Sequence, residues 1–183
     1  LILRISAVSV FVLFVLLSVA VTALQRGLIT RDEALAAVYP GAELEAERVF
    51  LTVEQTNRAE SLSGEELTSA LVARYIARRA GAVIGRAYVD THTVRTKPES
   101  LLISLNTAGQ VKRIDVTAFL EPIEYKASER WFRQYEDQTL DADLALQRQI
   151  RPIAGATLTA LAANEAVRRV LAIDQVLQSD AER

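Results

Sequence analysis

The sequence predicts an α+β chain: an N-terminal transmembrane helix followed by one domain with a twisted antiparallel sheet and packed helices. Three observations carry this. Ile5–Leu24, ISAVSVFVLFVLLSVAVTAL, contains no charged residue, and a membrane helix needs roughly 20 such residues. Between Arg48 and Phe119, apolar and polar residues alternate in runs separated by Gly-containing turns, the pattern of an antiparallel meander. From Leu158 to Gln178 the apolar residues recur at helical spacing.

The apolar run at the front exceeds the core of a secretory signal, about 7–15 residues, and reads as a retained anchor. VTA at Val21–Ala23 leaves a cleaved signal as the second reading. Arg4 precedes the run and Arg26 and Arg31 follow it, so the positive-inside count does not orient it. The default for an N-terminal anchor keeps the short end in the cytoplasm. The expected organisation is an anchor at 1–27 in the bacterial inner membrane and a domain at 28–183 on the periplasmic side.

Within the domain, Thr30 and Glu33 have capping-box spacing ahead of a helix, which Pro40 and Gly41 end. RVFLTV, Arg48 to Val53, reads as a strand, and EQTNRAESLSGEE as a polar loop or short helix. ALVARYIARR (Ala70 to Arg79) and AVIGRAYVDTH (Ala82 to His92) flank a turn at Gly81. SLLISLN and QVKRIDVTAF follow, joined at Thr107–Gly109. Leu101, Ile103 and Leu105 point to one face; Leu102, Ser104 and Asn106 point to the other. SERWFRQY is a short helix capped by Ser128, and LDADLALQRQI another, capped by Thr139. In the last helix Val167, Val170, Leu171 and Leu177 form the buried stripe, and Arg168, Arg169 and Gln175 the wet side.

Composition narrows the function classes. The 183 residues include no Cys and one His. Disulfides, thiolate metal sites and iron–sulfur ligation are therefore excluded, and a His-based metal site or a Ser-His-Asp triad is disfavoured. The net charge of −2, with no basic stripe, gives no reason to expect nucleic acid. There is no G-x-G-x-x-G after a strand, so a stand-alone nicotinamide enzyme is not indicated.

The segment RPIAGATLTALAANEAVRRVLAI, Arg151 to Ile173, concentrates the chemistry. Gly155 permits a tight turn or close backbone approach. The helix N–H groups behind it lack internal partners and carry partial positive charge, which suits a phosphate. Thr157 or Thr159 reads either as a helix cap or as a hydroxyl beside a bound phosphate.

GATLT followed by an Ala-rich helix resembles the flavin-attachment segment of the FMN-binding domain family. That family includes the G subunit of Rnf complexes and the C subunit of the sodium-pumping NADH:quinone reductase. Gly155, Ala156 and Thr157 match its Ser/Thr-Gly-Ala-Thr motif, and Leu158 and Thr159 match the usual continuation. The resemblance implies FMN joined to Thr157 by a phosphoester bond made by a flavin transferase. It also implies electron transfer with membrane redox subunits. It covers most of 29–178: EALAAVYPGA, a sheet and a Trp-containing helix precede the motif in the family's order. The chain departs at Ala154, where the family has Ser or Thr, and at Arg151, where it commonly has Asp. FLEPIEY, Phe119 to Tyr125, replaces the family's ETPGLG loop.

Around such a cofactor, Glu121, Tyr125 and Trp131 are candidates for its surroundings, aromatic faces being suited to an isoalloxazine ring. Taken alone, Trp131 with Phe132 reads first as the anchor of a short helix to the core. Arg95 suits a phosphate and His92 a proton relay; the plain alternative places both in a solvated loop. Three functions stay open: a covalent flavoprotein electron carrier, a structural or assembly subunit with the fold but no flavin, and a sensor or reductase holding FMN reversibly.

Overall fold

The computed structural model describes residues 28–181. Helix α1 (Arg31–Val38) leads into strand β1 (Glu43–Phe50), helix α2 (Val53–Ser63) and strands β2 (Leu71–Arg79), β3 (Ala82–Thr93), β4 (Pro98–Leu105) and β5 (Val111–Phe119). A one-turn helix α3 (Glu129–Phe132) follows, and the long helix α4 (Thr157–Ala181) closes the domain. The five strands form one antiparallel sheet in the order β1-β2-β3-β4-β5.

The fold class is therefore corrected to an α+β domain with a five-stranded antiparallel meander; its membrane-helix half is withdrawn. Among the described residues no helix is long and apolar enough to cross a membrane. The longest, α4, carries Glu165, Arg168, Arg169 and Asp174 within its length. The expected span at Ile5–Leu24 lies outside the described residues.

The period of two in the strands gives the sheet two apolar faces. Leu101, Ile103 and Leu105 on β4 join Tyr88, Val111, Ile114 and the α4 residues Val167, Val170 and Leu171 in the larger core. Leu102, on the opposite face, packs with Ala77 and Ala87 under Ala34, Leu35, Val38 and Tyr39 of α1 and its exit. Gly85 makes that second contact possible. A Cβ there would stand 2.4 Å from the Tyr39 ring and 2.6 Å from the Leu105 carbonyl. The Tyr39 hydroxyl instead reaches the carbonyls of Arg86 and Leu105, each at 2.7 Å.

Local chemistry explains most of the element ends. Thr30 and Glu33 form the expected capping box on α1. A second box, Thr52 with Gln55, starts α2, and Gly64 ends it in the left-handed conformation (φ +73°). The strand expected at Arg48–Val53 accordingly runs earlier, over Glu43–Phe50, because Thr52 is the cap of a helix. Ser128 caps α3 by accepting from the Trp131 N–H at 3.2 Å.

Residues 140–150 do not form the expected helix. The Asp141 carboxylate accepts the backbone N–H groups of Asp143 (2.6 Å) and Leu144 (2.8 Å), and Gln147 takes a positive φ of 64°. An Asp that captures its own downstream N–H groups competes directly with helix hydrogen bonds. The wet side assigned to α4 also needs correction. Arg169 is 8% exposed and Asp174, unassigned from the sequence, 3%. Arg169 pairs with Asp90 at 3.1 Å, and Asp174 is held by Arg86 and by the Tyr88 hydroxyl at 2.8 Å.

Candidate functional site

The GATLT segment enters α4 with Gly155 at φ +79°, a backbone conformation that glycine adopts without strain. The residue before the helix is Ala156, whose side chain has no oxygen to cap it. Its carbonyl accepts from the Ala160 N–H at 3.1 Å, and its own N–H bonds to Ile153 O at 3.2 Å. The N–H groups of Thr157, Leu158 and Thr159 have no acceptor among the described residues. They form the positive end of a 25-residue helix.

These groups open onto a cleft of about 320 Å³ lined by Val94, Arg95, Glu121, Tyr125, Gly155, Ala156, Thr157, Leu158 and Thr159. Eight of the ten sequence-based candidates thus line one cavity: the five of GATLT, Glu121, Tyr125 and Arg95. Thr157 stands exposed at the helix start. Thr159 is 1% exposed and lines the cleft. Leu158 and Tyr125 remain 49% and 40% exposed, giving the cleft an apolar rim.

Trp131 does not line the cleft. Its ring packs edge-on against Phe132 and Tyr135, at 5.1 and 5.6 Å between centroids. Its indole N–H donates to the Arg151 carbonyl at 2.7 Å, while Gln134 accepts the Arg151 N–H at 2.9 Å. Trp131 therefore holds the backbone leading into GATLT, close to its reading as an anchor. Glu121 is also engaged. Its Oε1 accepts the N–H groups of Thr96 (2.7 Å) and Lys97 (2.8 Å), and these bonds lower its pKa from the ordinary value. It fixes the loop between β3 and β4, which supplies Val94 and Arg95.

That loop forms the second wall of the cleft. Arg95 reaches the cleft from the turn between two strands, across from the helix start. Val94 was not singled out, and its only signal was adjacency to Arg95. His92, read as a loop residue, lies on β3 with its side chain 7% exposed. Its Nδ1 is 2.8 Å from Asp90 Oδ1 and its Nε2 3.2 Å from Glu99 Oε2. Burial lowers its pKa, but the two carboxylates outweigh that and raise it to about 9. Among the described residues no group of three or more His, Cys, Asp or Glu side chains is placed to hold a metal ion.

The donor set fits a phosphoryl group: three helix N–H groups without an acceptor among the described residues, the threonine hydroxyls of GATLT and the Arg95 guanidinium all belong to residues lining one cavity. The volume is at the small end of ligand sites, roughly 300–1,000 Å³. It suits a phosphate with part of its ligand, the remainder lying along the apolar rim. Compared with protein-family models, curated proteins and solved structures, the chain matches none of them.

Proposed function

We propose that residues 28–183 form a flavoprotein electron-transfer domain carrying FMN esterified through its phosphate to Thr157. The observation that carries the reading is the convergence of Gly155–Thr159, Arg95, Glu121 and Tyr125 on one cleft at the start of α4. When bound, FMN supplies the redox chemistry. The chain supplies attachment and electrostatics. The Thr157 oxygen is the ester oxygen, exposed where a flavin transferase reaches it. The N–H groups of Thr157, Leu158 and Thr159, with the Thr159 hydroxyl and Arg95, hold the phosphate oxygens. Leu158 and Tyr125 flank the ring. The domain works on the periplasmic face of the bacterial inner membrane and exchanges electrons with redox subunits there.

A second reading, the same cleft holding FMN reversibly, is favoured by Ala154 and Arg151, which depart from the segment the transferase reads. Co-expression with a flavin transferase and export, followed by a denaturing gel, separates the two. Denaturation-resistant flavin fluorescence is expected from the parent chain and from Thr159→Ala, and none from Thr157→Ala, which lacks the ester oxygen. Ala154→Ser should load at least as well as the parent. Peptide mass spectrometry locates the adduct. An adduct on Thr159, or none on exported protein, sinks covalent attachment at Thr157.

A further inference from the structure

Both walls of the cleft are tied to one buried cluster of four charged groups. We propose that Asp90, His92, Glu99 and Arg169 position the cleft walls, with the proton held by His92 coupled to anion binding in the cleft. The inference rests on the phosphate reading of the cleft.

The geometry is specific. His92 and Glu99 are cross-strand partners one rung from the end of the β3–β4 hairpin. The loop that follows, closed by the Val94 N–H on Lys97 O at 3.1 Å, carries Val94 and Arg95 into the cleft. Asp90, on the same face of β3 as His92, accepts from Arg169 at 3.1 Å through both Nε and Nη2. Arg169 lies 12 residues along α4 from Thr157, about 18 Å at 1.5 Å per residue. The Asp90–Arg169 pair therefore sets where the helix, and so its N-terminus, sits along β3.

His92 joins the two restraints. Each ring nitrogen faces a carboxylate oxygen, and an ionised carboxylate only accepts. With both carboxylates ionised, the imidazole donates at both positions, which is the imidazolium. Glu99 is 0% exposed, and its Oε1 has no partner. An ionised Glu99 facing a neutral His92 would be a buried, uncompensated charge. The charged groups around His92 are Asp90 on its own strand, Glu99 on β4 and, through Asp90, Arg169 on α4. Arg168 and Glu65 pair with each other at 3.8 Å farther out. Losing the proton sets Glu99 against the neutral ring, loosens the last rungs of the hairpin and shifts the Arg95 wall. A cation in this position also favours an anion in the cleft. Both effects have the same sign: protonation strengthens anion binding, and by reciprocity an anion strengthens protonation.

His92 is the only histidine of the chain, so its imidazole proton resonances are assigned without mutation. The test titrates those resonances in the unflavinylated full chain, with and without inorganic phosphate, at constant ionic strength set with chloride. Phosphate affinity is measured across the same range. Phosphate is expected to bind tighter with His92 protonated by a factor of about 5, the low end of typical couplings. The His92 midpoint should rise by the matching amount. His92→Gln should keep only the pH dependence set by phosphate's own second ionisation, and Arg95→Gln should weaken binding at every pH. The parent-chain titration stands alone if His92→Gln does not fold. Phosphate that binds without moving the His92 midpoint refutes the coupling and leaves the cleft reading intact. No phosphate binding by the parent chain sinks the cleft reading, and the coupling with it.

Discussion

Asp174 is the most informative residue to remove. It is 3% exposed and accepts three hydrogen bonds: Arg86 Nε at 2.5 Å, Arg86 Nη2 at 2.9 Å and the Tyr88 hydroxyl at 2.8 Å. Arg86 is itself 5% exposed. Asp174→Ala leaves that guanidinium buried without a counter-charge. Breaking a buried pair in this way costs about 3–5 kcal/mol. A cleft of about 540 Å³ adjoins the pair, lined by Thr107, Gly109 and Gln178 as well as by Arg86 and Asp174. Water reaching the exposed edge of the guanidinium places the cost near the lower end, about 3 kcal/mol. For a chain of this size each kcal/mol moves the thermal midpoint by about 2–4 °C, so a fall of about 6–12 °C is expected. The triple change Arg86→Met, Tyr88→Phe, Asp174→Leu should recover most of the loss, because a packed apolar replacement of a buried pair is often neutral or stabilising. Urea and thermal denaturation followed by circular dichroism measure both. A loss under about 1 kcal/mol for the single change, or a triple variant no more stable than the single one, refutes the reasoning.

Other expectations follow from packing and titration. Gly85→Ala forces a Cβ against the Tyr39 ring and the Leu105 carbonyl, and should cost about 1–3 kcal/mol by overpacking; an unchanged urea midpoint would mean that α1 sits looser on the sheet than described. Val170→Asp, at a position 2% exposed between α4 and the sheet, buries an unpaired charge and should lower the thermal midpoint strongly; no change would show the helix phase to be wrong. His92 contributes stability that is complete below its ordinary value of 6.5 and lost as pH rises through about 9, because its folded pKa is raised. The urea midpoint of the parent chain should fall across that window and that of His92→Gln should fall less; equal declines would argue against a buried imidazolium.

What could be read in the chain followed from contacts between near neighbours. The alternation of Leu101, Ile103 and Leu105 against Leu102 and Ser104 places a strand of the meander, and the structure covers both of its faces. Thr30 with Glu33, Ser128 before Glu129, and Gly81 and Gly109 in their turns act over a few residues, so their effect is visible locally. α2 was harder to see. Its sequence buries only Ala59 and Ser63, so it lacks an apolar stripe, and its local signatures are the box of Thr52 with Gln55 and Gly64 at its end. The stretch 140–150 had helical composition, but Asp141 diverts its N–H groups.

The sequence by itself determined the meander, the terminal helix and the location of GATLT at that helix's start, because period and capping chemistry are properties of adjacent residues. Only the tertiary structure decided which charges are buried. Arg169 looks solvated on a helical wheel, yet Asp90, 79 positions away on β3, neutralises it where the helix meets the sheet. Arg86 and Asp174, 88 positions apart, do the same. The cleft is of this kind too: Arg95 and Glu121 meet Thr157 only because the β3–β4 turn and the exit of β5 reach the same end of α4. A charge in the interior is tolerable only beside its partner, and the partner's place is set by how the strands pair and the helix lies on them.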